Sequence, residues 1–205
     1  MKKAFIIMFL LSILTPNLSF GVVALPAATQ EEGKCVEGDC ANGKGVMTFP
    51  IGTRYEGEFK NNLPDGKGTF TFPQGVKYVG EFKKGEYSGQ GTLTTPEGLK
   101  YVGQFAQDAP NGMGTMTMPD KSVLTGNFTN GLLSGLGTKT FPDGAHYDGE
   151  FLNSKFHGQG TFNLIDGSKY EGAFANGTFN GKGAFVSPDG TRQVGQFKDG
   201  VLVKE

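Results

Sequence analysis

One short pattern returns along this chain every 23 residues: an aromatic residue, any residue, glycine, any residue, phenylalanine. It reads Tyr55-Glu-Gly57-Glu-Phe59, Tyr78-Val-Gly80-Glu-Phe82, Tyr101-Val-Gly103-Gln-Phe105, Tyr147-Asp-Gly149-Glu-Phe151 and Tyr170-Glu-Gly172-Ala-Phe174. Leu124-Thr-Gly126-Asn-Phe128 fills the one gap in register, and a last copy, Gln193-Val-Gly195-Gln-Phe197, lacks the tyrosine. A second element keeps the same period. Its Gly-x-Gly pairs are Gly43/Gly45, Gly66/Gly68, Gly89/Gly91, Gly112/Gly114, Gly135/Gly137, Gly158/Gly160 and Gly181/Gly183, with no insertion or deletion among them. A period of this size predicts a stacked array, because a unit this small buries its apolar face only against its neighbours.

Each unit reads as a β-hairpin. Tyr55, Gly57 and Phe59 share one parity and hence one face of a strand, while Arg54, Glu56 and Glu58 point to water. Polar residues and a proline predict a turn across Asn61–Asp65, followed by a second strand over about residues 66–72. Phe70 and Phe72 share the parity of Gly66 and Gly68. The strand leaves through Phe72-Pro73-Gln74-Gly75, a type I turn pattern repeated at Thr95–Gly98, Phe141–Gly144 and Ser187–Gly190. Two glycines on one face predict a groove for neighbouring Tyr and Phe rings. Glycine in a strand costs ~0.5–1 kcal/mol relative to alanine, whereas burying an aromatic ring stabilises by roughly 1.5–3 kcal/mol. The glycines are therefore structural. None leads into a helix, and no phosphate-loop lysine follows.

Glycine is 34 of 205 residues, far above the usual ~7%, but in no Gly-X-Y order, which excludes collagen. Net charge is −1, so nucleic acid is not an expected partner. The N-terminus reads as an address. Lys2 and Lys3 precede an apolar run from Ala4 to Leu14, too short for a ~20-residue membrane span. Pro16 and Asn17 follow, then small residues at Ser19 and Gly21. We expect cleavage after Gly21, with Ala24 as the alternative site and an uncleaved anchor as the rival reading. Export to the periplasm or beyond the cell is the expected location. An oxidising compartment predicts a disulfide between Cys35 and Cys40, with Gly38 easing the turn. Zinc would need His146 and His157, about a hundred residues away. A redox pair lacks the usual C-x-x-C spacing.

Tyr-x-Gly-x-Phe, then Gly-x-Gly, then a Pro-x-Gly turn, at this period, resembles the MORN (membrane occupation and recognition nexus) repeat over Gly43–Gly200. The chain is also similar to bacterial exported MORN proteins that open with a Cys-x-x-Gly-Asp-Cys segment, here Cys35–Cys40. The resemblance implies an all-β fold: an elongated, twisted, single-layer antiparallel sheet solenoid of 23-residue hairpins. It implies scaffolding or membrane association and no single activity. The expected organisation is a signal peptide at 1–21, a flexible segment at 22–34 and a half-repeat cap with a cysteine loop at 35–52. The repeat array spans 53–200, and 201–205 form a tail.

No segment is left over for a catalytic domain, and no Ser-His-Asp set is visible, so we expect a binding protein without cofactor or metal. His157 reads as a loop residue, and Glu56 and Glu58 as solvated strand residues. One ordered surface feature remains. The position before the tyrosine is Arg54, Lys77, Lys100, Val123, His146, Lys169 and Arg192, a basic column broken once. It could attract anionic lipid or an envelope polymer, although Glu56, Asp148 and Glu171 stand beside it. A protein partner is the first expectation, lipid or polymer the second. Leu124, Lys121 and Lys139 depart from the pattern and predict a looser seam near residues 119–140.

Overall fold

The computed structural model describes residues 33–50 and 52–203. The expected export signal and its cleavage point therefore lie outside the described residues. The chain forms two compact units that divide between Leu132 and Leu133, inside the stretch where the repeat is most degenerate. The first unit opens with β1 (Lys34–Gly38) and β2 (Lys44–Thr48). It continues with β3 (Arg54–Lys60), β4 (Leu63–Thr71), β5 (Lys77–Lys83), β6 (Glu86–Thr94), β7 (Lys100–Ala106), β8 (Ala109–Thr117) and β9 (Val123–Thr129). The second holds β10 (Leu132–Thr140), β11 (His146–Leu152), β12 (Lys155–Asn163), β13 (Lys169–Ala175), β14 (Thr178–Val186), β15 (Arg192–Lys198) and β16 (Val201–Val203). Within each unit every strand pairs antiparallel with the next, as expected for a sheet of hairpin repeats.

The turn inside each hairpin is shorter than the expected Asn61–Asp65. It consists of Asn61 and Asn62 alone, at φ 51° and 63°, and β4 already begins at Leu63. The same pair of left-handed residues recurs at Lys84-Gly85, Gln107-Asp108, Asn130-Gly131, Asn153-Ser154, Asn176-Gly177 and Asp199-Gly200. Two positive φ values in a two-residue loop define a turn whose twist matches the flanking strands. Pro64, which reads as a turn residue, instead sits buried in β4 opposite Phe59. It is tolerated there because a bulge adjoins it. Glu58 alone faces Asp65, Gly66 and Lys67, so the second strand carries two surplus residues. The same shift occurs between β5 and β6, β7 and β8, β11 and β12, and β13 and β14.

Pairing between repeats is regular. Gly68 faces Gly80, Gly91 faces Gly103 and Gly114 faces Gly126; in the second unit Gly137 faces Gly149, Gly160 faces Gly172 and Gly183 faces Gly195. Within hairpins Gly57 faces Gly68, so glycine follows glycine across each unit. The turns are also tied to one another across repeats. Gly85 N donates to the Pro64 carbonyl at 2.8 Å, and Gly177 N to that of Phe156 at 2.9 Å. The ends differ from expectation. The cysteine segment is itself a strand, since β1 pairs with β2 through a bulge at Cys35/Glu37, and Lys34 belongs to it. Val201–Val203, expected as tail, pairs with β15 as β16.

Candidate interaction surface

One face of the hairpins is filled by its own side chains. Tyr55, Tyr78, Tyr101, Tyr147 and Tyr170 are fully buried. Each ring lies flat over glycine: a side chain at Gly57 or Gly68 would collide with the Tyr55 ring, and the same holds for Tyr78 at Gly80 and Gly91. In the second unit Tyr147 covers Gly149 and Gly160, and Tyr170 covers Gly172 and Gly183. Of the Gly-x-Gly pairs, it is the second glycine at Gly68, Gly91, Gly114, Gly160 and Gly183 that serves this purpose. The first (Gly66, Gly89, Gly112, Gly158, Gly181) has a positive φ and lies in the bulge. In four of them the vacated side-chain space is taken by the residue three after the tyrosine: Glu58 over Gly66, Glu81 over Gly89, Gln104 over Gly112 and Glu150 over Gly158.

That residue closes the bulge twice. Its side chain accepts from the bulge backbone, as Glu150 does from Gln159 N at 2.8 Å and Gln104 from Met113 N at 3.0 Å. Its carbonyl accepts from the tyrosine hydroxyl: Tyr55 to Glu58 at 2.9 Å, Tyr78 to Glu81 at 2.9 Å, Tyr101 to Gln104 at 3.1 Å, Tyr147 to Glu150 at 2.9 Å and Tyr170 to Ala173 at 3.0 Å. Glu58 is thus no free strand carboxylate: its Oε2 accepts from Lys67 N at 3.2 Å. His157 is in β12 and not in a loop, and its carbonyl takes a second bond from the Tyr147 hydroxyl at 3.2 Å.

The phenylalanines complete the buried face. Each tyrosine meets edge-on the phenylalanine of its own strand and that of the following repeat, Tyr78 with Phe82 at 5.1 Å and with Phe105 at 4.9 Å. Phe59, Phe128, Phe151 and Phe174 take part in the same ladder. Such contacts contribute ~0.5–1.5 kcal/mol each beyond burial. Tyr87, Phe156 and Phe179 stack face to face on Tyr78, Tyr147 and Tyr170 at 3.8, 3.9 and 3.9 Å. The Tyr87 hydroxyl and the Thr53 hydroxyl are buried without a hydrogen-bond partner. Burial pushes every one of these phenols up, Tyr101 and Tyr170 to about 12.

The opposite face meets solvent. Arg54, Lys77, Lys100, His146, Lys169 and Arg192 each begin a strand, so they occupy equivalent outward positions. They are not equivalent electrostatically. Arg54 Nη1 lies 2.6 Å from Glu56, Lys169 Nζ 2.6 Å from Glu171, and His146 Nε2 3.6 Å from Asp148. In β5 and β7 the next outward position holds Val79 or Val102 instead of a carboxylate, and each valine is 44% exposed. Among the described residues neither Lys77 nor Lys100 has an ion pair. Uncharged residues continue on β6 (Gln90, Thr92, Thr94), β8 (Met113, Thr115, Thr117) and β9 (Val123, Thr125, Asn127). Met113 is 60% exposed. The periodicity of the sequence marks the column; the exchange of acid for valine two residues on was equally visible there and distinguishes its members.

Two shallow cavities in the first unit, of about 720 and 510 Å³, share Glu58, Lys60 and Asp65. Both signs of charge line them, so they favour no one class of charged ligand. Cys35 and Cys40 are joined in a disulfide, with Cα atoms 5.9 Å apart. No cluster of His, Cys, Asp or Glu able to hold a metal ion occurs among the described residues.

Among solved structures, the chain is similar to the wild-type TCP10 domain of Danio rerio CPAP at 15% identity and TM-score 0.46, covering 80% of this chain and 83% of that one. It is also similar to the Drosophila melanogaster SAS-4 (dCPAP) TCP domain, solved with a proline-rich motif of Ana2, at 12% identity and TM-score 0.32, covering 81% and 90%. No curated protein sequence matches the chain significantly. The MORN repeat family model matches residues 41–54, 55–77, 78–100, 101–123, 125–146, 147–169 and 170–192. These segments follow the tyrosine-to-tyrosine spacing of the hairpins, and with them the chain belongs to the MORN repeat family.

Proposed function

We propose that this chain is a non-catalytic scaffold that offers the outward face of its hairpins to a protein partner outside the cytoplasm. The observation that carries this reading is where its reactive groups lie. The repeat-tyrosine hydroxyls are buried and bonded to bulge carbonyls. The bulge carboxylates of Glu58, Glu81 and Glu150 bond backbone N–H groups. Glu56 and Glu171 sit beside cations in solvent. Acid–base or nucleophilic chemistry needs such groups converging in a cleft that shifts their proton affinity. The periodic outward rows are instead suited to recognition by repeated contacts. The Cys35–Cys40 disulfide and the basic, apolar, small-residue order of the N-terminus support export.

A photo-crosslinking side chain placed at outward Thr92 or Thr115, in the native cell, should give a discrete protein adduct. A crosslinker at buried Phe162 should give none. Adducts from neither outward position would overturn the scaffold reading. Fractionation of the same cells should find the protein outside the cytoplasm, with Val22 as its first residue; a cytoplasmic full-length chain would refute export. Lipid or polymer binding along the whole basic column is the weaker reading, because Arg54, His146 and Lys169 already face carboxylates. Reversing Arg54, Lys77, Lys100 and Lys169 to Glu should leave sedimentation with anionic vesicles at its background level.

A further inference from the structure

We infer that the outward face of β5–β8 docks an extended, acidic segment of the partner, with its acidic residues three apart. The inference rests on the scaffold reading above and specifies its contact surface. Charge is the first argument. In the two outward rows that start at Lys77 and Val79, the only charged residue across β6–β9 is Lys100, one repeat from Lys77; Glu86, at the other end of β6, pairs with Lys83. The acid of β5, Glu81, is turned to its own bulge, where its carboxylate contacts Gly89 and faces Gln90 N at 3.5 Å. At Arg54 and Lys169 the outward cation comes with an acid. A ligand covering those pairs must strip water from both charges. Along those two rows of β5–β8 it covers valine and threonine and meets two cations with no counter-charge.

The same distribution argues against a second copy of this chain as the occupant. Two such faces in contact would bring lysines together without carboxylates to meet them, and like charges across an interface disfavour it. An acidic ligand is complementary.

Spacing supplies the conformation. Equivalent residues of successive repeats lie two strands apart, roughly 9.4–9.8 Å at the usual strand separation. A polyproline II segment rises ~3.1 Å per residue with three residues per turn, so every third side chain returns to the same side after ~9.3 Å. Laid across the strands, it can set successive acidic residues on Lys77 and Lys100 and the residues between them on Val79 and Val102. A β-strand cannot do this, because its residues three apart point to opposite faces.

The test uses the full exported chain and a fluorescent synthetic peptide of repeated Glu-Pro-Pro triplets, with binding followed by anisotropy at low salt. The double variant Lys77→Glu/Lys100→Glu should weaken binding by ~10-fold or more, as loss and reversal of two charge contacts implies. Arg54→Glu/Lys169→Glu should leave it within ~2-fold, since those cations are already paired. Unchanged thermal midpoints would show that both variants fold. No binding by the parent protein, equal binding of Lys-Pro-Pro triplets, or equal binding of a Glu-Pro repeat with its acids two apart would overturn the inference. So would sedimentation of the parent protein as a dimer that Val102→Lys dissolves. Lysine-dependent pelleting with phosphatidylglycerol vesicles, without peptide binding, would overturn it in favour of a membrane ligand. If the crosslinks at Thr92 and Thr115 persist in the Lys77→Glu/Lys100→Glu protein, the scaffold stands and only this docking mode fails.

Discussion

The repeat tyrosine joins two structural tasks in one side chain. Its ring covers glycine, and its hydroxyl donates to the carbonyl that the bulge removes from regular pairing. Tyr78→Phe keeps the ring and leaves that carbonyl short of a donor, so it should cost about 1–2 kcal/mol, the usual penalty for a buried polar group deprived of its bond. Tyr87→Phe should behave differently. Its hydroxyl is buried without a partner, and Phe156 and Phe179 stack in the equivalent place at nearly the same distance. That substitution should be neutral or stabilise by up to ~1 kcal/mol. Urea unfolding of the two variants beside the parent checks both values.

Titration of the same side chains yields an alkaline prediction. Burial raises the folded-state affinity of Tyr101 and Tyr170 for their protons to about 12, and that of Tyr55, Tyr78, Tyr87 and Tyr147 still higher. An unfolded tyrosine ionises near pH ~10. Below that value both states keep their protons and stability is unaffected. Above it the unfolded chain releases protons that the native one retains, so stability falls by up to ~1.4 kcal/mol per pH unit for each tyrosine. Thermal midpoints should be level up to pH ~9.5 and then drop steeply. A flat profile to pH ~11 would show the phenols to be open to solvent in the folded protein.

The hairpin is the element in which the glycines diverge. Gly91 lies under the Tyr78 ring, with its Cβ position closed by ring atoms. Gly91→Ala should therefore destabilise by ~2–3 kcal/mol or more through overpacking. At the turn the opposite change helps. Lys84 has φ 53° and precedes Gly85. Asparagine accepts that conformation more readily, so Lys84→Asn should stabilise by about 0.5–1 kcal/mol. Denaturant midpoints of the two variants should move in opposite directions.

Strand identity, parity and repeat boundaries were legible in the sequence, because period and alternation fix them. The hairpin turn was misread because Pro64 and Pro110 resemble turn residues, although the other copies carry Tyr87, Leu133, Phe156 or Phe179 there. The two-residue signals were present at Asn130-Gly131 and Asn176-Gly177. The bulge was not legible. Alternation is a property of one strand, whereas two surplus residues appear only when the partner strand is laid beside it. For that reason Glu58 looked like a solvated carboxylate.

For the molecule as a whole, the buried face carries the stability, and the outward face is the one proposed for recognition. The basic column followed from the period alone. Which of its cations remain unpaired followed from neighbours two residues away, and the exposure of Val79, Val102 and Met113 required the fold. The units should not be uniformly protected. In the last hairpin Gln193 is exposed where Tyr170 is buried one repeat earlier. Amide hydrogens of β15 and β16 should exchange faster than those of β13 and β14, by local opening. Equal protection would mean that the final hairpin is held by contacts other than the tyrosine ladder.

The bulge lies wholly inside each hairpin, and pairing between hairpins is in plain register. Every irregularity is therefore settled before the chain passes to the next repeat. A gene that duplicates or drops one whole repeat leaves each remaining strand facing the same way, while a slip of a single codon within a strand turns the rest of that strand to the other face. Copy number is consequently the easiest property of this protein to change, and with it the length of the outward face.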